Sequence, residues 1–397
     1  VQQDLTGAIY DHLLAIALVS GLFAATVAVL PNVGYLGFLD VDQQQLRNVA
    51  LSALNTMLLD AGYPIRWGST ESFNPASVVR FGLASANSSN LYALDSDKVQ
   101  KLVTDNPSEV GYLSYEQVRS LLGLQGYGFK LKIMAPFDAT VRDMAPPATP
   151  GNPTDAELRT IDYEVTVKLN DGKPVPNAVV SALIFACIKT GGSGTDESYI
   201  VQNFKDVRTT NGLGVCRVQR SLTGEVSDAI ILFEVTVGDV HTVSSIYRRG
   251  GPPNDIANVN VVGDCLILTT PPADPRDNRW VLTVQVYTGD GSIISLYNGT
   301  KDDKLNWGSL NEWLKDFPGM KQMDPVLLML SFRAVEKHSG RQAVFVVGPF
   351  PRYMGSRVIS FGFDGEVPGG LAGAKITRVV DISGMTYIAE FTLWKER

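Results

Sequence analysis

Hydrophobic and polar positions along the chain fall into three successive patterns. The first is continuous. From Leu13 to Leu30 no residue is charged, and Leu13, Leu14, Ile16, Leu18, Val19, Leu22, Phe23, Val27, Val29 and Leu30 occupy every face of a helix. A helix that is apolar all round has to be buried all round, and a run of this length reaches the lower limit of about 18 residues for crossing a bilayer. The pattern predicts a hydrophobic helix from about Leu5 to Leu30, ended or kinked at Pro31.

The second pattern has helical spacing. Leu46, Val49, Ala50, Ala53, Leu54 and Met57 mark one face of an amphipathic helix over Val41 to Asp60, with Gly62 and Pro64 as stop signals. Ser96 to Asp105 and Ser114 to Leu122 read as short helices. Ser114 and Gln117 form a capping box, and Gly123 suits the C-terminal cap. Residues 61–125 are therefore expected to be mainly helical.

The third pattern has period two. Phe129, Leu131 and Ile133 alternate with Lys130 and Lys132, and Tyr163, Val165, Val167 and Leu169 with Glu164, Thr166 and Lys168. Val179 to Ile188 reads as a long buried strand; Ile230 to Val237 and Val259 to Leu268 continue the set. Pro146, Pro147, Pro150 and Pro153 mark a linker, and Pro271, Pro272 and Pro275 separate a second β block. That block holds Trp280, Leu282, Val284 and Val286 in alternation, a short helix over Ser309 to Phe317, and strands at Val326–Val335, Ala343–Val347, Val358–Phe363 and Tyr387–Trp394. The expected fold class is α+β: a long N-terminal hydrophobic α-helix, a mainly helical neck and two β-sandwich-like domains. The segments are 1–60, 61–125, 126–275 and 276–397.

Composition narrows the chemistry. The chain carries 41 acidic and 34 basic side chains, a net charge of -7, and is 45% hydrophobic but only 19% charged. It is too apolar for disorder, and its acidity weighs against nucleic-acid partners. Cys187, Cys216, Cys265, His12, His241 and His338 are too scattered for zinc or CxxC chemistry. No phosphate loop, dinucleotide fingerprint, HExxH or GxSxG occurs. The expectation is thus no catalytic residue, no metal and no cofactor. Asp95 with Asp97, and Asp302 with Asp303, leave paired-acid hydrolysis or calcium binding open, although acidic turns are usually surface turns. The cysteines read as small buried hydrophobes with room for at most one disulfide. Asn87-Ser88-Ser89 and Asn298-Gly299-Thr300 are glycosylation acceptors, placing Asn87 and Asn298 among the candidate sites.

Val1-Gln2-Gln3-Asp4, the uncharged run behind it and the β blocks that follow resemble an archaeal type IV pilin-like filament subunit over residues 1–60. Gly172-Lys173-Pro174-Val175-Pro176-Asn177-Ala178-Val179 resembles the turn and strand of prealbumin-like and immunoglobulin-like extracellular modules. The first resemblance implies a chain released by a prepilin peptidase, held in the membrane before assembly, and polymerised with itself. A separate assembly ATPase and membrane platform are implied partners, and the product is an extracellular filament displaying its β domains for adhesion. The assembly residues are then Val1, Asp4, Asp11, Leu13, Leu14, Ile16, Leu18, Gly21, Leu22, Phe23, Val27 and Leu30. Asp4 or Asp11 is expected to meet the Val1 α-amino group of a neighbouring subunit, or Asp4 to complement the helix dipole. The alternatives are a membrane-anchored adhesin or envelope protein that does not polymerise, and an anchored secreted hydrolase.

Overall fold

A computed structural model describes residues 43–69, 73–103, 111–145, 158–191, 198–248, 258–269, 278–298, 305–306, 312–323, 325–336, 340–348, 358–363 and 373–396. The uncharged run and every assembly residue from Val1 to Leu30 lie outside them, as do His338, Asp302 and Asp303.

Helix α1 spans 43–59 and buries Leu46, Ala50, Ala53, Leu54 and Met57, the face that its spacing picks out. Strand β1 (Ala93–Leu94), α2 (Ser96–Gln100), α3 (Tyr115–Leu121) and β2 (Tyr127–Met134) follow. At the start of α3 the Ser114 side chain accepts from the Gln117 backbone while the Gln117 side chain accepts from the Ser114 backbone, as the capping box requires. Phe129, Leu131 and Ile133 are buried on β2.

The expected fold class is corrected here. The described residues are mostly β, and none of their helices is long and apolar enough to cross a membrane. The described residues of 61–125 do not form a helical neck: α2 and α3 have 5 and 7 residues, and loops occupy most of the other described positions. The physical reason is local. Gly62, Pro64, Gly68, Pro75 and Gly82 interrupt any helix between α1 and β1, and the loops they create pin themselves to the core through Trp67, Phe81 and Leu83.

Strands β3 (Phe137–Asp143), β4 (Thr160–Leu169), β5 (Val179–Gly191), β6 (Ser198–Thr209), β7 (Val215–Ser221), β8 (Glu225–Val237) and β9 (Val240–Arg248) form two antiparallel sheets, ordered β3-β4-β7 and β6-β5-β8-β9. They enclose one core, in which Tyr163, Val165 and Val167 of β4 meet Ile184, Ala186, Ile231 and Phe233 of the larger sheet. The alternate residues Leu183, Phe185, Cys187, Ile230 and Leu232 point to the other face and enter the core that contains α1 and β2. The larger sheet is therefore covered on both faces, which is why β5 and β8 read as unbroken apolar runs rather than alternating ones.

Strands β10 (Asn258–Val262), β11 (Cys265–Thr269), β12 (Asn278–Thr288), β13 (Ile293–Asn298), β14 (Leu305–Asn306), β15 (Glu312–Asp316), β16 (Pro325–Glu336) and β17 (Gly340–Gly348) make a β10-β11-β15 sheet and a β13-β12-β16-β17 sheet, with β14 pairing β12. Two local expectations change. The stretch Val259 to Leu268 is a hairpin turned at Gly263, whose φ of +61° suits glycine. Within the stretch Ser309 to Phe317, where a short helix is expected, the described residues 312–316 are instead β15, paired antiparallel with β11 from Cys265↔Asp316 to Thr269↔Glu312, and residues 309–311 lie outside the described ones. A segment this short has little helical stability of its own, and the open edge of β11 satisfies its backbone.

The chain then returns. Strands β18 (Val358–Gly362), β19 (Gly373–Ile382) and β20 (Met385–Lys395) complete a sheet of order β1-β19-β20-β2-β18, in which only β1 and β19 run parallel. This sheet joins strands drawn from three of the segments set out by the sequence pattern. Phe129, Phe361 and Phe391 meet at its centre, with ring centroids 6.1 and 5.7 Å from Phe129.

Candidate functional site

Two polar clusters form where separate sheets meet. The first is built on α2, all five residues of which are buried although its sequence is Ser96-Asp97-Lys98-Val99-Gln100. Asp95 caps the helix, its Oδ1 accepting from the Asp97 backbone at 3.0 Å. Lys98 Nζ donates to the carbonyls of Ala61 (2.7 Å) and Ala84 (2.9 Å), tying together the two loops beside it. Gly68 permits the approach, because a Cβ there would lie 2.6 Å from the Lys98 backbone nitrogen.

The remaining partners come from far along the chain. Lys321 Nζ lies 2.8 Å from Asp95 Oδ1 and 3.0 Å from Asp97 Oδ2. Asp97 Oδ2 also accepts from Ser69 Oγ (2.6 Å) and from the Gly263 backbone in the β10–β11 turn (3.2 Å). Asp264, beside that glycine, accepts from the backbone nitrogens of Lys321 (2.7 Å) and Gly319 (3.2 Å), fixing the turn that carries Lys321.

Electrostatics follow from this geometry. Burial opposes ionisation of Asp95, but Lys321 outweighs it and holds the carboxyl below its ordinary value. Burial likewise works against the Lys321 charge, which Asp97 and Asp95 raise above the usual lysine value. Lys98 is lowered by burial, with Asp95 opposing. Burial brings Lys101 down to about 8 against the attraction of Asp97, and its Nζ lies 4.8 Å from the Phe73 ring centroid.

A cleft of about 820 Å³ opens beside the cluster; Arg66, Ser69, Asn87, Asp264, Lys321 and Gln322 are among its walls.

The second cluster joins three sheets. Buried Glu234 of β8 lies with Oε1 2.7 Å from His241 Nε2 of β9, and its Oε2 accepts from Tyr287 Oη of β12 at 2.9 Å. The His241 backbone nitrogen donates to Thr386 Oγ1 of β20 at 3.4 Å, and Thr236 Oγ1 lies 3.2 Å from His241 Nδ1. Burial first, and then the Glu234 charge, raise the Tyr287 phenol well above its usual range.

In both clusters the carboxylates are taken up by donors from other elements, so the chemistry they perform is clasping. Asp95 and Asp97 are not the solvated turn that their sequence pattern implies. Their sequence signal was faint: a Ser114-type capping motif is recognisable, but nothing near Asp95 announces a lysine as distant as Lys321. His241 is a packed histidine paired with a carboxylate. Asn87 and Asn298 are both exposed, the first in a turn at the cleft and the second at the end of β13. Cys187, Cys216 and Cys265 are buried thiols outside any disulfide, with burial raising Cys216 to about 11.

No family model and no curated protein matches the chain. Among solved structures it is similar to a tetra-tandem repeat from the extending region of a large adhesion protein (11% identity, 53% of this chain and 48% of that one, TM-score 0.18). It is also similar to a Ca2+-stabilized adhesin that helps an Antarctic bacterium bind ice (10% identity, 54% and 48%, TM-score 0.17). A third similarity is to a trypsin-activated alpha-2-macroglobulin from Escherichia coli (9% identity, 62% and 18%, TM-score 0.22). The chain thus spans about half of each adhesion-protein chain, 48% in both cases. At these TM-scores neither a fold family nor a function carries over.

Proposed function

We propose that the chain is a structural protein of the cell surface. In this reading the apolar segment Leu13 to Leu30 holds the chain in the membrane and then against copies of itself, and the described residues between 43 and 396 belong to a body displayed outward for adhesion. The observation that supports it is the way the body is clasped: two buried polar clusters tie sheets far apart in sequence, with every carboxylate in them engaged. That arrangement resists deformation. It does not pose a group for catalysis, and the reading assigns the protein no enzymatic activity.

The specific form we favour is a pilin-like homopolymer. Lipid tails are as apolar as Leu, so assembly depends on close packing at Gly21 and its small neighbours and on an external ATPase and membrane platform.

Electron microscopy of the native material tests this. Filaments with helical symmetry, lost in Gly21→Leu while circular dichroism of the β body is unchanged, are the expected result. Single anchored molecules point to the surface protein that does not polymerise. Recovery of the chain in the cytosolic fraction overturns the surface reading altogether.

A further inference from the structure

The sequon Asn87-Ser88-Ser89 sits in a projecting loop, Ala86 to Leu91, every residue of which is exposed. The base of the loop is closed by Ser85 N donating to Ala93 O at 2.8 Å and by the Ala84–Leu94 bridge. Within it the Asn90 backbone donates to Ser88 Oγ at 3.1 Å. The Asn87 amide makes no hydrogen bond to another described residue. An acceptor asparagine in a turn, with its amide free, can be reached by a modifying enzyme without unfolding the body.

Asn87 is also part of a cleft wall. The same cleft of roughly 820 Å³ is lined by Asp264 and Gly263 of the β10–β11 turn, Lys321 and Gln322 of the segment that clasps α2, and Arg66 and Ser69. Asp264, Lys321 and Ser69 are already engaged within the protein, but the Arg66 guanidinium and the Gln322 amide make no hydrogen bond to another described residue and offer the donors and the acceptor that sugar hydroxyls take. The lining comes from loops and turns far apart in sequence, Ile65–Ser69 and Ala86–Asn87 on one part of the chain and Gly263–Asp264 and Lys321–Gln322 on others, tied through Asp95, Ser96 and Asp97 to Lys321 and Gly263, so a ligand filling the cleft adds a further bridge between them.

We propose that Asn87 carries an N-linked glycan whose first sugars lie in this cleft and brace its two walls. The proposal rests on the cell-surface reading, since the co-reactant is a polyprenyl-phosphate-linked oligosaccharide presented at the outer face of a membrane. In the transfer a bond forms between Asn87 Nδ2 and the anomeric carbon. The bond from that carbon to the lipid phosphate oxygen breaks, and the lipid phosphate leaves with the electron pair while the amide proton passes to the transferase base.

The test uses full-length protein from its native cells. Trypsin cleavage after Arg80 and Lys98 gives a peptide, Phe81 to Lys98, that contains Asn87. Its mass is expected to exceed the unmodified value by a sum of sugar residues, and to fall to the unmodified value in Ser89→Ala, which keeps Asn87. Hydrogen exchange at Gly263 and Asp264 is expected to be severalfold slower in the glycosylated protein than in Ser89→Ala, with the melting temperature higher by about 2–4 °C. A bare Asn87 peptide overturns the proposal; where Asn298 is modified in the same sample, the surface reading survives that result. A modified Asn87 with unchanged exchange at Gly263 and Asp264 overturns the bracing. A bare peptide from a chain found in the cytosol overturns both readings.

Discussion

Lys321 Nζ bonds Asp95 Oδ1 at 2.8 Å across a sequence separation of 226 residues. One contact therefore joins the N-terminal capping turn of α2 to the segment that follows β15. Because Asp97 shares the same ammonium at 3.0 Å, removing Lys321 takes the bonded cation from two carboxylates and leaves them only neutral donors.

The cost of that removal is the first expectation. The three side chains are 26%, 12% and 7% exposed for Lys321, Asp95 and Asp97, so solvent screening is partial. Lys321→Met is expected to destabilise the chain by about 2–4 kcal/mol, somewhat less than a fully buried pair broken on one side. Adding Asp95→Asn and Asp97→Asn restores part of the loss, because fewer charges then remain unpaired. Thermal or urea unfolding measures both effects; strictly additive losses would show that the residues do not act together.

The pH dependence of the same cluster has a definite sign. Asp95, held below its ordinary value, contributes stability that is present above the unfolded carboxylate value of about 3.9 and is lost as pH falls through its folded value. Lys321, raised, contributes stability that is full below the unfolded lysine value of about 10.4 and is lost as pH rises through its folded value. Lys101 acts oppositely. Lowered by burial to about 8, it makes stability rise between about pH 8 and 10, by up to about 1.4 kcal/mol per unit. Buried Lys98 acts in the same direction and the buried Cys216 thiol in the opposite one, in both proteins, so the readout is the difference: between about pH 8 and 10 the unfolding midpoint of the native chain is expected to gain on that of Lys101→Met, and parallel curves would contradict it.

At the second cluster, Tyr287→Phe removes the donor to Glu234 Oε2 without changing volume. The expected loss is about 1–3 kcal/mol, the penalty of a buried acceptor left without its partner. Glu234→Gln in the same background recovers part of it. Equal stability of Tyr287→Phe and the native chain would mean that water already reaches Glu234.

Burial on both faces of the β6-β5-β8-β9 sheet gives a further contrast. Phe185, fully buried on β5, is expected to cost about 3–5 kcal/mol on truncation to Ala. Val207, 49% exposed on the edge strand β6, is expected to change stability by no more than about 0.5 kcal/mol. Comparable losses at the two positions would contradict the layering.

Local rules carried much of the fold. Alternation placed Phe129, Leu131 and Ile133 inward, helical spacing picked the buried face of α1, and Ser114 with Gln117 started α3. Each depends on residues within one or two turns of each other, so the linear sequence contains the whole cause. The continuous apolarity of Val179 to Ile188 announced a long buried strand, but not which layers would cover its two faces.

Pairing was decided elsewhere. That β2 would find β18 and β20 rather than its chain neighbours, and that residues 312–316 would be a strand, depended on which sheet edges stood open once the rest had packed. The candidate site was least legible of all, since Asp95 and Asp97 look like any acidic turn until Lys321 arrives. A charge becomes a clasp only through the desolvation and the partner that its surroundings impose. The sequence by itself determined the periodicities, the caps and the turn residues, because these are short-range preferences; the tertiary structure alone decided strand order and charge pairing, because both are properties of surfaces that exist only after folding.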